Sequence, residues 1–151
     1  MGVGRMRHFS AIVTVAALSA CSPAGELSAG NAWVRLPAVA GQPGAAYFTV
    51  QGGAKADTLL SVSSRAALKA ELHESTKGDH GMMSMAPLKD VAVPAGGKLA
   101  FAPGGRHVML FSIGPAVKPG QTVPLELSFA SGRTIELDAK VIGAGDPAPA
   151  S

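Results

Sequence analysis

Apolar residues in this chain fall in short runs divided by glycine and proline. Segments such as AWVRLP, AAYFTV, KAELHES, KLAFAP, RHVMLFSI, VPLELSF and RTIELDAKVI recur between Gly/Pro turns, which predicts strands rather than helices. In TIELDAKV the period is two. Ile135, Leu137, Ala139 and Val141 share one face, and Glu136, Asp138 and Lys140 share the other. No stretch carries a long helical stripe; Leu59 to Ala70 fits a helical turn or a strand and loop equally well. Ala130-Ser131-Gly132 predicts a tight hairpin, Pro103-Gly104 fits the central positions of a type II turn, and Pro94-Ala95-Gly96-Gly97 predicts another reversal. No tandem repeat of about 20–50 residues is visible. The pattern predicts an all-β sandwich in a single domain, with Trp33 and Tyr47 as core or rim aromatics.

The N-terminus is different in kind. MGVGRMRHFS carries Arg5 and Arg7 and no acid, and AIVTVAALSA follows, an apolar run too short to span a bilayer as a helix. Residues 1–20 therefore read as a secretory signal. Leu18-Ser19-Ala20-Cys21 resembles the bacterial lipobox, whose cysteine is lipidated and becomes the first residue of the mature chain. Each acyl CH₂ buried in a membrane contributes about 0.8 kcal/mol, so an acylated Cys21 anchors the domain to a bilayer. Ser22, rather than Asp, directs the expectation to the periplasmic face of the outer membrane. Residues 21–30 and 143–151 are small and Pro/Gly-rich and read as a flexible tether and a flexible tail, flanking a domain over 27–142.

Removing the signal changes the charge and the cysteine count together. Arg5 and Arg7 leave, so the basic residues fall from thirteen to eleven against ten acids, and a nucleic-acid partner is not expected. Lipidation of Cys21, the one cysteine, leaves the folded part without a thiol. About 130 residues suffice for a core without cross-links.

Every histidine and methionine of the mature chain lies between residues 73 and 109: His73, His80, His107, Met82, Met83, Met85 and Met109. Core methionines normally scatter through apolar segments as gap-fillers. Here they stand beside glycine, charge and histidine in GDHGMMSM and GRHVM. His107 and Met109 are two apart in an extended segment and so project from one face, with Val108 and Leu110 opposite. With His73 and Met85 they would form a cage of two imidazoles and two thioethers. Such soft, neutral donors suit Cu(I) better than zinc, calcium or magnesium. A blue-copper electron-transfer site needs a cysteine thiolate, which the mature domain lacks.

His73, an eleven-residue gap, Met85, a twenty-one-residue gap and His107-x-Met109 resemble the motif of the periplasmic PCu(A)C copper chaperones. ELHES, GMMSMAPL, VPAGGKLAFAPGGRHVML and TVPLELSF are similar to that family as well, over about residues 27–142. The resemblance implies a cupredoxin-like β-sandwich of Greek-key type and surface Cu(I) held by His73, Met85, His107 and Met109. It also implies delivery to the binuclear site in the copper subunit of cytochrome c oxidase. Many members carry methionine directly after the first histidine, where this chain has Glu74. Met83 stands as an alternative to Met85, and His80 and Met83 as accessory ligands.

Other classes of function make different predictions: a copper store without a dedicated acceptor, or a metal-free structural lipoprotein. An enzyme is not expected, since no G-x-S-x-G elbow, P-loop or G-x-G-x-x-G motif is present. His73-Glu74 begins like a zinc-protease motif, but Lys77 stands where the second histidine belongs.

Overall fold

The computed structural model describes residue 1 and residues 25–150. The segment read as a secretory signal, Met1 apart, and Cys21, read as a lipidation site, lie outside these residues.

Ten strands carry the chain: β1 (Ser28–Arg35), β2 (Gly44–Gln51), β3 (Asp57–Ser63), β4 (Ala67–Lys77), β5 (Met83–Pro87), β6 (Val91–Val93), β7 (Lys98–Phe101), β8 (Arg106–Ile113), β9 (Thr122–Phe129) and β10 (Thr134–Ile142). A 3₁₀ turn at Asp79–Gly81 joins β4 to β5. The all-β expectation holds. Leu59 to Ala70 resolves as the end of β3, a loop and the start of β4.

Hydrogen bonding runs in the order β5-β4-β8-β2-β1-β10-β9-β3-β6, with β7 added to β2. Strand β2 changes partner partway along: Gly44–Ala46 pair with β8, and Phe48–Gln51 pair with β7. The path then curls so that β3 and β4, far apart in the ladder, come into contact. The enclosed core takes alternate residues from nearly every strand, including Val34, Phe48, Leu72, Val108, Leu110, Leu125, Leu127 and Val141. Each such side chain contributes about 1.5–3 kcal/mol by leaving water. Phe48 and Phe101 stack there at 4.4 Å between centroids.

The alternation expected in β10 is observed, with Ala139 and Val141 buried, Ile135 and Leu137 partly buried, and Glu136, Asp138 and Lys140 exposed. Between Gly30 and Trp33 a bulge interrupts the β1–β2 register, and Asn31 takes a left-handed φ of 54°. Beyond it Trp33 and Tyr47 pack at 4.3 Å and form a second cluster with Ile142. Burial pushes the Tyr47 phenol up, and the Arg35 guanidinium pulls it the other way. Arg35 lies over the Trp33 ring and donates to the carbonyls of Ala144 and Asp146, tying the first turn of the C-terminal segment to β1.

Two turns matter for position. In Ala102–Gly105 the Gly105 N–H donates to Ala102 O at 3.1 Å and Gly104 has φ 83°, the left-handed value that the third position of a type II turn requires. This turn launches β8. In the β9–β10 hairpin Gly132 has φ 86°, and Asp57 binds the turn through the N–H and Oγ of Ser131.

Candidate metal centre

Strands β5, β4 and β8 lie side by side at one end of the ladder; β4 and β8 turn one face to the core, and β5 is exposed along its length. On β4 the face toward the core carries Leu72, and its alternates Glu71, His73, Ser75 and Lys77 point the opposite way. The register places His73 opposite His107 and Glu71 opposite Met109. On the other side of β4, Ser75 faces Met85 and Lys77 faces Met83. His73, His107, Met109, Met85 and Met83 therefore share one face of three consecutive strands. Met109 and Met85 are each diagonal to His73, about 7–8 Å away in backbone terms, within reach of long side chains.

The two imidazoles lie 5.9 Å apart between centroids. His107 is 6% exposed and the His73 side chain 13%. Nδ1 of His107 sits 3.0 Å from Gly105 O, a bond made only when Nδ1 carries the proton, so the lone pair is on Nε2. Gly105 O also accepts Ser75 N–H, so the Pro-Gly turn holds both the ring and the adjoining strand. His73 is held at the other nitrogen. Its Nε2 lies 3.1 Å from a Glu71 carboxylate oxygen, and its Nδ1 is buried with no hydrogen-bond partner. Leaving a buried acceptor unsatisfied costs about 1–3 kcal/mol, and Nδ1 is the one buried side-chain polar atom in that state among the described residues.

Glu71 also contacts Lys69, whose ammonium lies over the Phe111 ring. The hydrogen bond from Lys69, followed by that from His73, holds the Glu71 carboxyl below its ordinary value. Among the described residues, no three His, Cys, Asp or Glu side chains group closely enough to hold a metal. A metal on this face therefore depends on the thioethers, and neutral imidazole with thioether suits a soft, low-charge ion.

A family model described as "Putative lipoprotein LpqE-like" matches residues 27–141. The chain belongs to the LpqE-like family. This LpqE-like chain is 32% identical over 105 residues to a "Putative lipoprotein" of Leifsonia xyli subsp. xyli, covering 69% of the chain and 62% of the relative. It thus spans less than two thirds of that relative's length. Among solved structures, the copper-bound PCuAC domain from PmoF2 is similar at a TM-score of 0.65 and 22% identity, over 80% of the LpqE-like chain and 95% of that domain. The Cu(I) form of DR1885 from Deinococcus radiodurans is similar at a TM-score of 0.61 and 29% identity, over 83% and 84% of the two chains. The fold is the cupredoxin-like β-sandwich of these domains.

Within the LpqE-like domain His73, His107, Met109 and Met85 occupy neighbouring register positions on one face, and the other residues are placed differently. Met83 lies on the shared face, but Lys77, its partner, is four residues beyond His73, roughly 13 Å along the strand. His80 sits at the exposed hairpin tip with φ 65°, farther out still. Glu74 alternates to the opposite side of β4 and lies 3.4 Å from Arg106, so a methionine there would also leave from the opposite face. Met83–Pro87, which carries Met83 and Met85, is an exposed edge strand. Sequence reasoning missed Glu71 and Gly105. The signals were present: Glu71 is two residues before His73 in a strand, and Gly105 closes the turn before His107.

Proposed function

We propose that the domain is an extracytoplasmic Cu(I)-binding metallochaperone of the PCu(A)C type, with His73 Nδ1, His107 Nε2 and the thioethers of Met109 and Met85 as the ligand set. The observation that carries this reading is the buried, unpartnered Nδ1 of His73, placed across the strand pair from His107 with a methionine on each diagonal. The copper-bound and Cu(I) forms among the similar structures support the choice of metal. Met85 is preferred to Met83 because its register position is nearer His73.

Copper is cargo in this reading. Neutral ligands hold Cu(I) without a charge to neutralise, and Met85, 53% exposed on an edge strand, is the donor an incoming protein reaches first. Exchange of one donor at a time passes the ion without releasing it to water. The acceptor proposed is the copper subunit of cytochrome c oxidase. Lipidated Cys21 holds the domain at the extracytoplasmic face of a membrane, with Ser22 favouring the outer membrane in a cell that has two.

Anaerobic Cu(I) titration of the full-length protein against a chromophoric competitor tests binding. Tight one-to-one uptake, strongly weakened in His107→Ala and Met109→Ala, is expected; equal weak uptake by all three refutes the site. Mixing the loaded protein with the apo copper subunit tests delivery. Rapid transfer is expected, and retention of copper would point to a store.

A further inference from the structure

We propose that Glu71 is a positioning residue for the metal site: its carboxylate takes the Nε2–H of His73 and so presents Nδ1, rather than Nε2, to the metal. The identity of the metal rests on the copper reading above; the hold on the ring does not. Glu71 and His73 alternate on β4 and so share a face, where the carboxylate oxygen comes within 3.1 Å of Nε2. An ionised carboxylate only accepts, so this contact is a hydrogen bond only when Nε2 carries the proton. The opposite tautomer would set two lone pairs against each other and bury an unsatisfied N–H at Nδ1.

The carboxylate is itself held. Its other oxygen contacts Lys69 Nζ, and that ammonium lies 5.7 Å from the centroid of the Phe111 ring on the neighbouring strand. With one oxygen on Lys69 and the other on His73, Glu71 is held at Nε2 and leaves the buried Nδ1 free of a hydrogen bond. His107 is fixed in the reverse sense, with Nδ1–H on Gly105 O. The paired histidines of β4 and β8 therefore offer different nitrogens, Nδ1 from His73 and Nε2 from His107. Outer partners that orient a ligating histidine in this way typically change metal affinity by about 10–100-fold when removed.

Long-range ¹H–¹⁵N spectra of the histidine rings test this in the full-length protein. In the metal-free wild type His73 is expected as the Nε2–H tautomer and His107 as Nδ1–H, with Cu(I) shifting His73 Nδ1 and His107 Nε2. Glu71→Ala should mix the His73 tautomers and weaken Cu(I) binding about 10–100-fold, at an unchanged melting curve. Glu71→Gln, whose amide oxygen still accepts, should restore the tautomer and most of the affinity. A wild-type His73 in the Nδ1–H form, or Glu71→Ala with both tautomer and affinity unchanged, overturns the proposal. A wild type that shows the Nε2–H tautomer yet takes up no Cu(I) refutes copper binding and upholds the carboxylate's hold on the ring.

Discussion

The β9–β10 and β4–β5 hairpins are built from the same unit and used in opposite ways. The first lies inside the strand order, where Leu125, Leu127, Ala139 and Val141 are sealed into the core and acidic and basic side chains alternate outward. The second ends the strand order. Leu72 reaches the core from β4, but β5 is exposed along its whole length, and its methionines stand in solvent, Met83 at 60% and Met85 at 53%. Exposed thioethers on an unprotected edge gain nothing from burial and leave backbone groups open to another chain. The apolar residues of β9–β10 pack into the core, whereas the methionines of β5 contribute nothing to it.

The largest test of this contrast removes a side chain from the sealed half. Leu125→Ala should cost about 2–5 kcal/mol of unfolding free energy in chemical denaturation, because Leu125 is fully buried in the core. Met85→Ala should leave that free energy within about 0.5 kcal/mol. Equal losses would erase the distinction between the hairpins.

Copper titration should reverse the ranking. His107→Ala is expected to weaken Cu(I) binding beyond the roughly 100-fold at the upper end for an outer partner, since it removes a ligand outright. Met85→Ala should fall below it, and Met83→Ala should stay near wild type. A larger loss from Met83→Ala than from Met85→Ala would move the thioether ligand one step toward the hairpin tip.

A third comparison uses pH. Imidazole must be neutral to ligate while thioethers do not titrate, so competition titrations should show Cu(I) affinity falling as the solution is acidified. A flat profile would remove the histidines from the ligand set.

A fourth comparison returns to the sealed half, where Asp57 binds the β9–β10 turn. Burial pushes the Asp57 carboxyl up, but hydrogen bonds from Ser131 Oγ and the N–H groups of Thr58 and Ser131 outweigh it and hold the group below its ordinary value. A carboxyl held low stabilises the fold above its unfolded value, about pH 3.9, and that stability is lost as pH falls through the folded value. Asp57→Asn should thus cost about 0.5–1 kcal/mol at neutral pH, and the gap to wild type in urea unfolding should close in acid. A gap that persists at low pH would assign the effect to packing.

Much of this was legible in the chain. The alternation of TIELDAKV, the Ala-Ser-Gly and Pro-Gly turns and the pairing of His107 with Met109 on one face are all observed. Strand β5 was not, because an edge strand with both faces in solvent carries no burial pattern to read. Glu71 was missed for a related reason. A carboxylate two residues from a histidine is common in exposed strands, and only the distance to Nε2 separates a partner from a bystander.

What sequence alone determined is local: which segments extend, which residues share a face, and that every histidine and methionine after residue 20 lies between residues 73 and 109. These follow from a two-residue period and from turn chemistry, which need no distant partner. Tertiary structure decided the register that sets His73 against His107 across thirty-four positions of chain, the diagonal places of Met85 and Met109, and the nitrogen each imidazole offers. Register is a property of two strands together, and a slip of one residue would have sent every donor on one of them to the core.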